Sequence, residues 1–115
     1  MNTATNATTY DLKTKEGAQA AAESVLGKLG QGWASRLRES GKSWSFRVYL
    51  KKDGRKVDIE VTPDLSQTGK YTAWIEAAEY SDSSTSSDPA EAVANVRAAL
   101  KAKIENLQDL LATVS

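Results

Sequence analysis

Apolar residues recur along this chain at two different periods, and the change of period divides it. From Lys15 to Gly30, Ala18, Ala21, Ala22, Val25, Leu26 and Leu29 return every three or four positions. That spacing puts them on one side of a helix. The stripe is mostly alanine, so the helix can lie close against its neighbour. Thr14 is the expected N-cap, with Asp11 the weaker candidate, and Gly30 and Gly32 stop the helix by permitting positive φ.

Beyond those glycines the period falls to two. Residues 33–40 read either as a strand, with Trp33, Ser35, Leu37 and Glu39 on one side, or as a continuation of the helix. Gly41-Lys42 makes a turn. Ser43 to Lys51 is the clearest strand: Trp44, Phe46, Val48 and Leu50 point one way, and Ser45, Arg47, Tyr49 and Lys51 the other. Such alternation belongs to a strand with one buried and one wet face. Lys52-Asp53-Gly54-Arg55 predicts a hairpin, because Asp-Gly accepts the positive φ of a type I′ turn. The return strand, Lys56 to Thr62, buries Val57, Ile59 and Val61 and leaves Lys56, Asp58 and Glu60 outside. After a loop from Pro63 to Gly69, Lys70 to Ala78 repeats the pattern. Tyr71, Ala73, Ile75 and Ala77 face in, and Thr72, Trp74 and Glu76 face out.

Residues 81–87 are Ser-Asp-Ser-Ser-Thr-Ser-Ser. So polar a run predicts a mobile loop. Asp88-Pro89-Ala90-Glu91 then opens a helix, with Asp88 as cap, Pro89 at the first helical position and Glu91 completing a capping box. The helix runs to about Leu111. Its stripe is Val93, Val96, Leu100, Ile104, Leu107, Leu111 and Val114, widened by Ala92, Ala99 and Ala102.

The expected architecture is α+β: an antiparallel meander of three or four strands, with N- and C-terminal helices packed on one face. With 115 residues, it forms one domain over residues 14–115, preceded by a flexible tail over 1–13. Residues 1–9 lack the basic and apolar regions of a signal peptide, and no window reaches the roughly 18 apolar residues of a membrane span. Asn6-Ala7-Thr8 fits the glycosylation sequon without other signs of secretion, so a cytoplasmic protein is the expectation.

Composition removes whole classes of chemistry. Apolar residues are 40% and charged residues 26%, which is ordinary for a globular chain. Cysteine and histidine are absent. Disulfides, thiol nucleophiles, imidazole bases and metal sites built on those residues are therefore excluded. Phosphate-binding and dinucleotide-binding glycine motifs and the nucleophile elbow are also missing. Asp58 and Glu60 share a strand face about 7 Å apart, but as part of a wet face among lysines and arginines. Glu76 and Glu79 read the same way. Asp82 and Asp88 do not have the spacing of a calcium loop. The expectation is a non-enzyme without cofactor or metal.

Charge adds one positive signal. Residues 36–56 hold eight basic and two acidic residues, a net +6, and residues 57–115 hold four basic and ten acidic, a net −6. Arg47, Tyr49 and Lys51 share a strand face, and Lys52, Arg55 and Lys56 crowd its turn. Basic residues interleaved with an aromatic suit phosphates and bases. The opposing expectation is that Arg47 or Tyr49 pairs with Asp58 or Glu60 across the hairpin. Trp74, on the wet face of its own strand, is a candidate anchor for a protein partner. The far end of the last helix can outrun a short sheet, which would favour a homodimer.

Residues 69–74 and 87–100, Gly-Lys-Tyr-Thr-Ala-Trp and Ser-Asp-Pro-Ala-Glu-Ala onward, resemble the strand-loop-helix of HicB-type antitoxins; the long first helix departs from that family's strand-first order. The functional expectation does not rest on this resemblance. It is a protein-binding module, such as a small accessory or inhibitor protein of a phage or mobile element, that occludes a partner's site. Its contact residues would be Arg47, Tyr49, Lys51, Lys52, Arg55, Lys56 and Trp74. The alternative is a nucleic-acid-binding domain using the basic hairpin 36–56.

Overall fold

A computed structural model describes residues 10–115. Helix α1 spans Lys15–Leu29. Five strands follow: β1 Trp33–Ser40, β2 Ser43–Lys52, β3 Arg55–Pro63, β4 Tyr71–Ala77 and β5 Tyr80–Ser86. Helix α2, Pro89–Val114, closes the chain. The strands form one antiparallel sheet in the order β1-β2-β3-β4-β5, so every connection joins neighbours. Both helices pack on the same face of the sheet. Among the described residues, no helix is long and apolar enough to cross a membrane.

The alternation along β2 determines which face is covered. Phe46 and Val48 are fully buried beside Ile59 and Val61 of β3 and Ala73 and Ile75 of β4. Ala18, Ala21, Ala22 and Val25 of α1, with Ala92, Val93 and Val96 of α2, seal this layer from above. Alanine permits the close approach, and the larger side chains come from the sheet.

The β2–β3 hairpin has the expected turn, with Asp53 at φ 54° and Gly54 at φ 76°. Thr14 caps α1 by accepting from the Gly17 amide at 3.0 Å. Asp11 does not compete as a cap; its carboxylate accepts from the Lys13 amide at 2.9 Å.

Three expectations are corrected. The serine-rich segment 81–87 is not a loop: residues 80–86 form edge strand β5, paired with β4 from Tyr71↔Ser86 to Ala77↔Tyr80. The sheet therefore has five strands. Backbone pairing and cover from α2, whose Asn95 donates to Ser84 Oγ at 3.1 Å, replace the missing apolar side chains. Second, of the expected tail 1–13, residues 1–9 lie outside the described residues, and residues 10–13 are tied to the sheet through Tyr10 and Leu12, with Asp11 and Lys13 exposed. Leu12 is buried, its carbonyl accepts from the Trp44 amide, and Tyr71 Oη both accepts from Tyr10 N at 2.7 Å and donates to Tyr10 O at 2.8 Å. Third, Glu91 does not close a capping box on Asp88. It accepts from the Ser86 hydroxyl, which accepts in turn from the Asp88 amide at 3.2 Å, while Asp88 caps Ala90 at 3.0 Å.

The packed segment 10–14 constrains α1. A methyl group on Gly17 would lie 1.9 Å from the Asp11 carbonyl oxygen, whereas one on Gly27 meets nothing within 4 Å. The two glycines should therefore respond oppositely to one substitution. Gly27→Ala is expected to stabilise by about 0.5–1 kcal/mol through helix propensity. Gly17→Ala should destabilise by about 1–3 kcal/mol, because the 11–14 turn must move. Urea denaturation of both variants checks the signs.

Candidate functional site

The sheet face turned away from the helices remains open, and its side chains form rows across the strands. One row runs Arg36, Arg47, Glu60, Trp74 and Ser83. Its neighbour on one side runs Ala34, Tyr49, Asp58, Glu76 and Ser81. On the other side Arg38 and Ser45 lead to the hydroxyls of Thr62, Thr72 and Thr85. The face is basic along β1 and β2, acidic along β3 and β4, and neutral and hydroxyl-rich along β5.

Trp74 stands midway along β4, half exposed. Its indole Nε1 donates to Thr62 Oγ1 at 3.3 Å, which holds the ring along β3. Thr72 and Thr85 share a hydrogen bond of 3.0 Å beside it. Two shallow grooves meet at Trp74 and Glu60. One is lined by Arg47, Asp58 and Glu76 on the acidic side. The other reaches past Arg38, Ser45 and Thr62 to the β3–β4 loop, where Leu65 is almost fully exposed.

The basic residues separate into two groups. Arg47 Nε approaches Asp58 Oδ1 at 3.2 Å, and its Nη2 lies 3.9 Å from Glu60. Lys56 Nζ lies 3.1 Å from Asp58 Oδ2 and 5.8 Å from the centre of the Tyr49 ring. Asp58 Oδ1 is buried without a well-aligned hydrogen bond, so its contact with Arg47 is a charge contact. Arg47, Lys56 and Tyr49 are thus engaged by their own sheet. Lys51, Lys52 and Arg55, at the hairpin tip, are exposed and make no ion pair among the described residues. Of the seven expected site residues, Arg47, Tyr49, Lys51, Lys56 and Trp74 share the open face, whereas the pair Lys52↔Arg55 is in phase with Val48 and Ile59 and lies on the helix side at the hairpin tip. The charges of Arg47 and Lys56 are already answered by Asp58 and Glu60.

Sequence reasoning did not single out the threonine row or Leu65. The period-two pattern already assigns Thr62 and Thr72 to the open face; Thr85 was hidden by the reading of its segment as a loop. Among the described residues, no group of three acidic residues is placed to hold a metal ion.

The loop beside Leu65 is held by Asp64, whose Oδ1 accepts from the Ser66 amide and hydroxyl, both at 2.8 Å. The amide bond, followed by the hydroxyl bond, holds the Asp64 carboxyl below its ordinary pKa.

Comparison with protein-family models, with curated proteins and with solved structures finds no match for the chain. The resemblance of residues 69–74 and 87–100 to HicB-type antitoxins gains no support there.

Two outcomes follow from this geometry. Asp58→Ala strands two cations and is expected to cost about 1 kcal/mol, less at high salt; denaturation at two ionic strengths measures it. The Asp64 turn should be intact above the unfolded carboxylate pKa and open as pH falls through the lower folded value, because the folded state favours the ionised form. The Ser66 amide resonance, followed through an acid titration, should report that midpoint below the ordinary aspartate value.

Proposed function

We propose that this chain is a non-enzymatic protein-binding module whose contact surface is the open sheet face centred on Trp74. One observation carries the reading. A large aromatic side chain, its indole N–H bonded to Thr62, stands half exposed midway along β4, where two grooves meet. Rigid exposed aromatics at the centre of a patch are the side chains that most often dominate protein–protein contacts. The surrounding charge gives the face an orientation. A complementary partner presents acidic groups to the β1–β2 side, basic groups to Glu60 and Glu76, and an apolar recess to the indole. Such charges steer the encounter and set the register more than they add affinity.

The mechanism is occlusion: a preformed surface covers a partner's site and needs no chemistry of its own. A cytoplasmic accessory or inhibitor protein of a phage or mobile element fits the small size and the missing catalytic residue types. Lys51, Lys52 and Arg55, exposed and without an internal ion pair among the described residues, support the second reading, a nucleic-acid contact at the hairpin tip.

The two readings separate on mutation. Capture of a host protein by the immobilised chain should survive nuclease and fall at least tenfold in Trp74→Ala, with little dependence on salt. The double change Arg47→Glu and Lys51→Glu should leave that contact weakened but measurable. Nucleic acid retained by the unmodified chain at low salt, released by the double charge reversal and indifferent to Trp74→Ala, would favour the hairpin reading instead.

A further inference from the structure

Helix α2 has two halves in different surroundings. Pro89, Ala90, Ala92, Val93 and Val96 are buried against the sheet. From Lys101 onward every residue is exposed, yet the apolar stripe continues. Exposure rises from 45% at Ile104 to 72% at Val114, with Leu107, Leu110 and Leu111 between. Leu100, Ile104, Leu107, Leu111 and Val114 alternate steps of four and three, which is the seam of a coiled coil. From their exposures these projecting side chains present on the order of 500 Å² of apolar surface, at the upper end for a surface patch on a monomer.

A groove runs into the stripe where α2 leaves the body. Trp33, Val57, Ala94, Arg97, Leu100 and Ile104 line it, and Arg97 lies 5.6 Å over the Trp33 ring. The surface therefore carries a projecting apolar ridge and, beside it, a groove with which it shares Leu100 and Ile104. A ridge and a groove on the same molecule are what a two-fold interface requires, since each copy must supply both.

Charge along the helix sets the direction. Arg97, Lys101 and Lys103 precede Glu105 and Asp109. Parallel pairing would bring the three cations of each copy together and crowd the two bodies at one end. Antiparallel pairing sets the basic stretch of one copy over the acidic stretch of the other and places the bodies at opposite ends.

We infer that the occupant of this stripe is a second copy of the same chain. The two α2 helices pair antiparallel about an axis between Glu105 and Asn106. Ile104 then faces Leu107 of the second copy, Leu100 faces its Leu111, and its Val114 reaches the groove beside Trp33. Two ridges together bury roughly 1,000 Å² or more, the lower end of the range for a specific interface. The open sheet faces lie on the other side of each sheet and stay clear. The dimer is therefore independent of what those faces bind.

Light scattering coupled to size exclusion tests this at about 100 µM, where a micromolar dimer is filled. The expected mass is twice the 12.4 kDa of the chain. Leu107→Glu, at an exposed position, should halve the mass while the circular dichroism spectrum is retained. A monomer in the unmodified chain, or a dimer that survives Leu107→Glu, overturns the inference. The absence of cysteine makes orientation directly testable. Oxidising a mixture of Leu100→Cys and Leu111→Cys chains should give a mixed disulfide. Leu111→Cys alone should not link, because eleven residues, about 16 Å, separate its two copies along the antiparallel pair. Efficient self-linking of Leu111→Cys would overturn the antiparallel arrangement.

Discussion

The contact between the inner face of β2 and the alanine face of α1 is the constraint on which the other features rest. Phe46 and Val48 are fully buried because Ala18, Ala21 and Ala22 let the helix backbone come close. A one-residue slip in β2 would turn Arg47 into that layer and Phe46 out of it. An unpaired guanidinium under a helix would cost several kcal/mol, so the register is strongly held. Once β2 is placed, the hairpin fixes β3, and antiparallel pairing passes the same alternation to β4 and β5. The open face, with Trp74 on β4, follows from the side of β2 that α1 covers.

That chain of dependence also explains which parts were legible in the residues. Strands β2 and β3 announce themselves, because strict alternation and Asp53-Gly54 both carry local information. Thr14 and Asp88 cap their helices as short polar residues should. Strand β5 carries no such signal. Ser, Asp and Thr have no apolar alternation, and the Ala78-Glu79 turn contains neither glycine nor asparagine. Ala78 adopts a φ of 56°, which a non-glycine residue accepts only when the flanking ladder holds it there. The strand exists because β4 offers a free edge and α2 covers Ser84, and both are tertiary facts. The packing of residues 10–13 is likewise non-local, resting on Tyr71 from the far side of the sequence.

The candidate surface is legible in most of its membership, and its charge balance in one of the two expectations, since Arg47 does pair with Asp58 and Glu60 across the hairpin. Period-two reasoning placed Arg47, Tyr49, Lys51 and Trp74 on one face. Counting charges by sequence segment made that face look strongly basic, because Arg47 and Asp58 fall in different segments. Folding brings Asp58 and Glu60 onto the neighbouring strand, and cross-strand pairing largely neutralises the centre. What remains positive is the hairpin tip. Segment charge describes the chain as a line, whereas recognition depends on which rows the register brings side by side.

Helix α2 shows the same principle along its length. A strand of seven residues extends about 23 Å and a helix of 26 residues about 39 Å. A helix lying on this sheet can use little more than half its length for the core. Its first half is buried and its second half projects, although one continuous apolar stripe runs through both. Helix propensity alone does not require that stripe beyond Leu100, since a solvated extension would be as helical with polar residues in those positions. Those apolar residues are exposed because the sheet is too short to cover them.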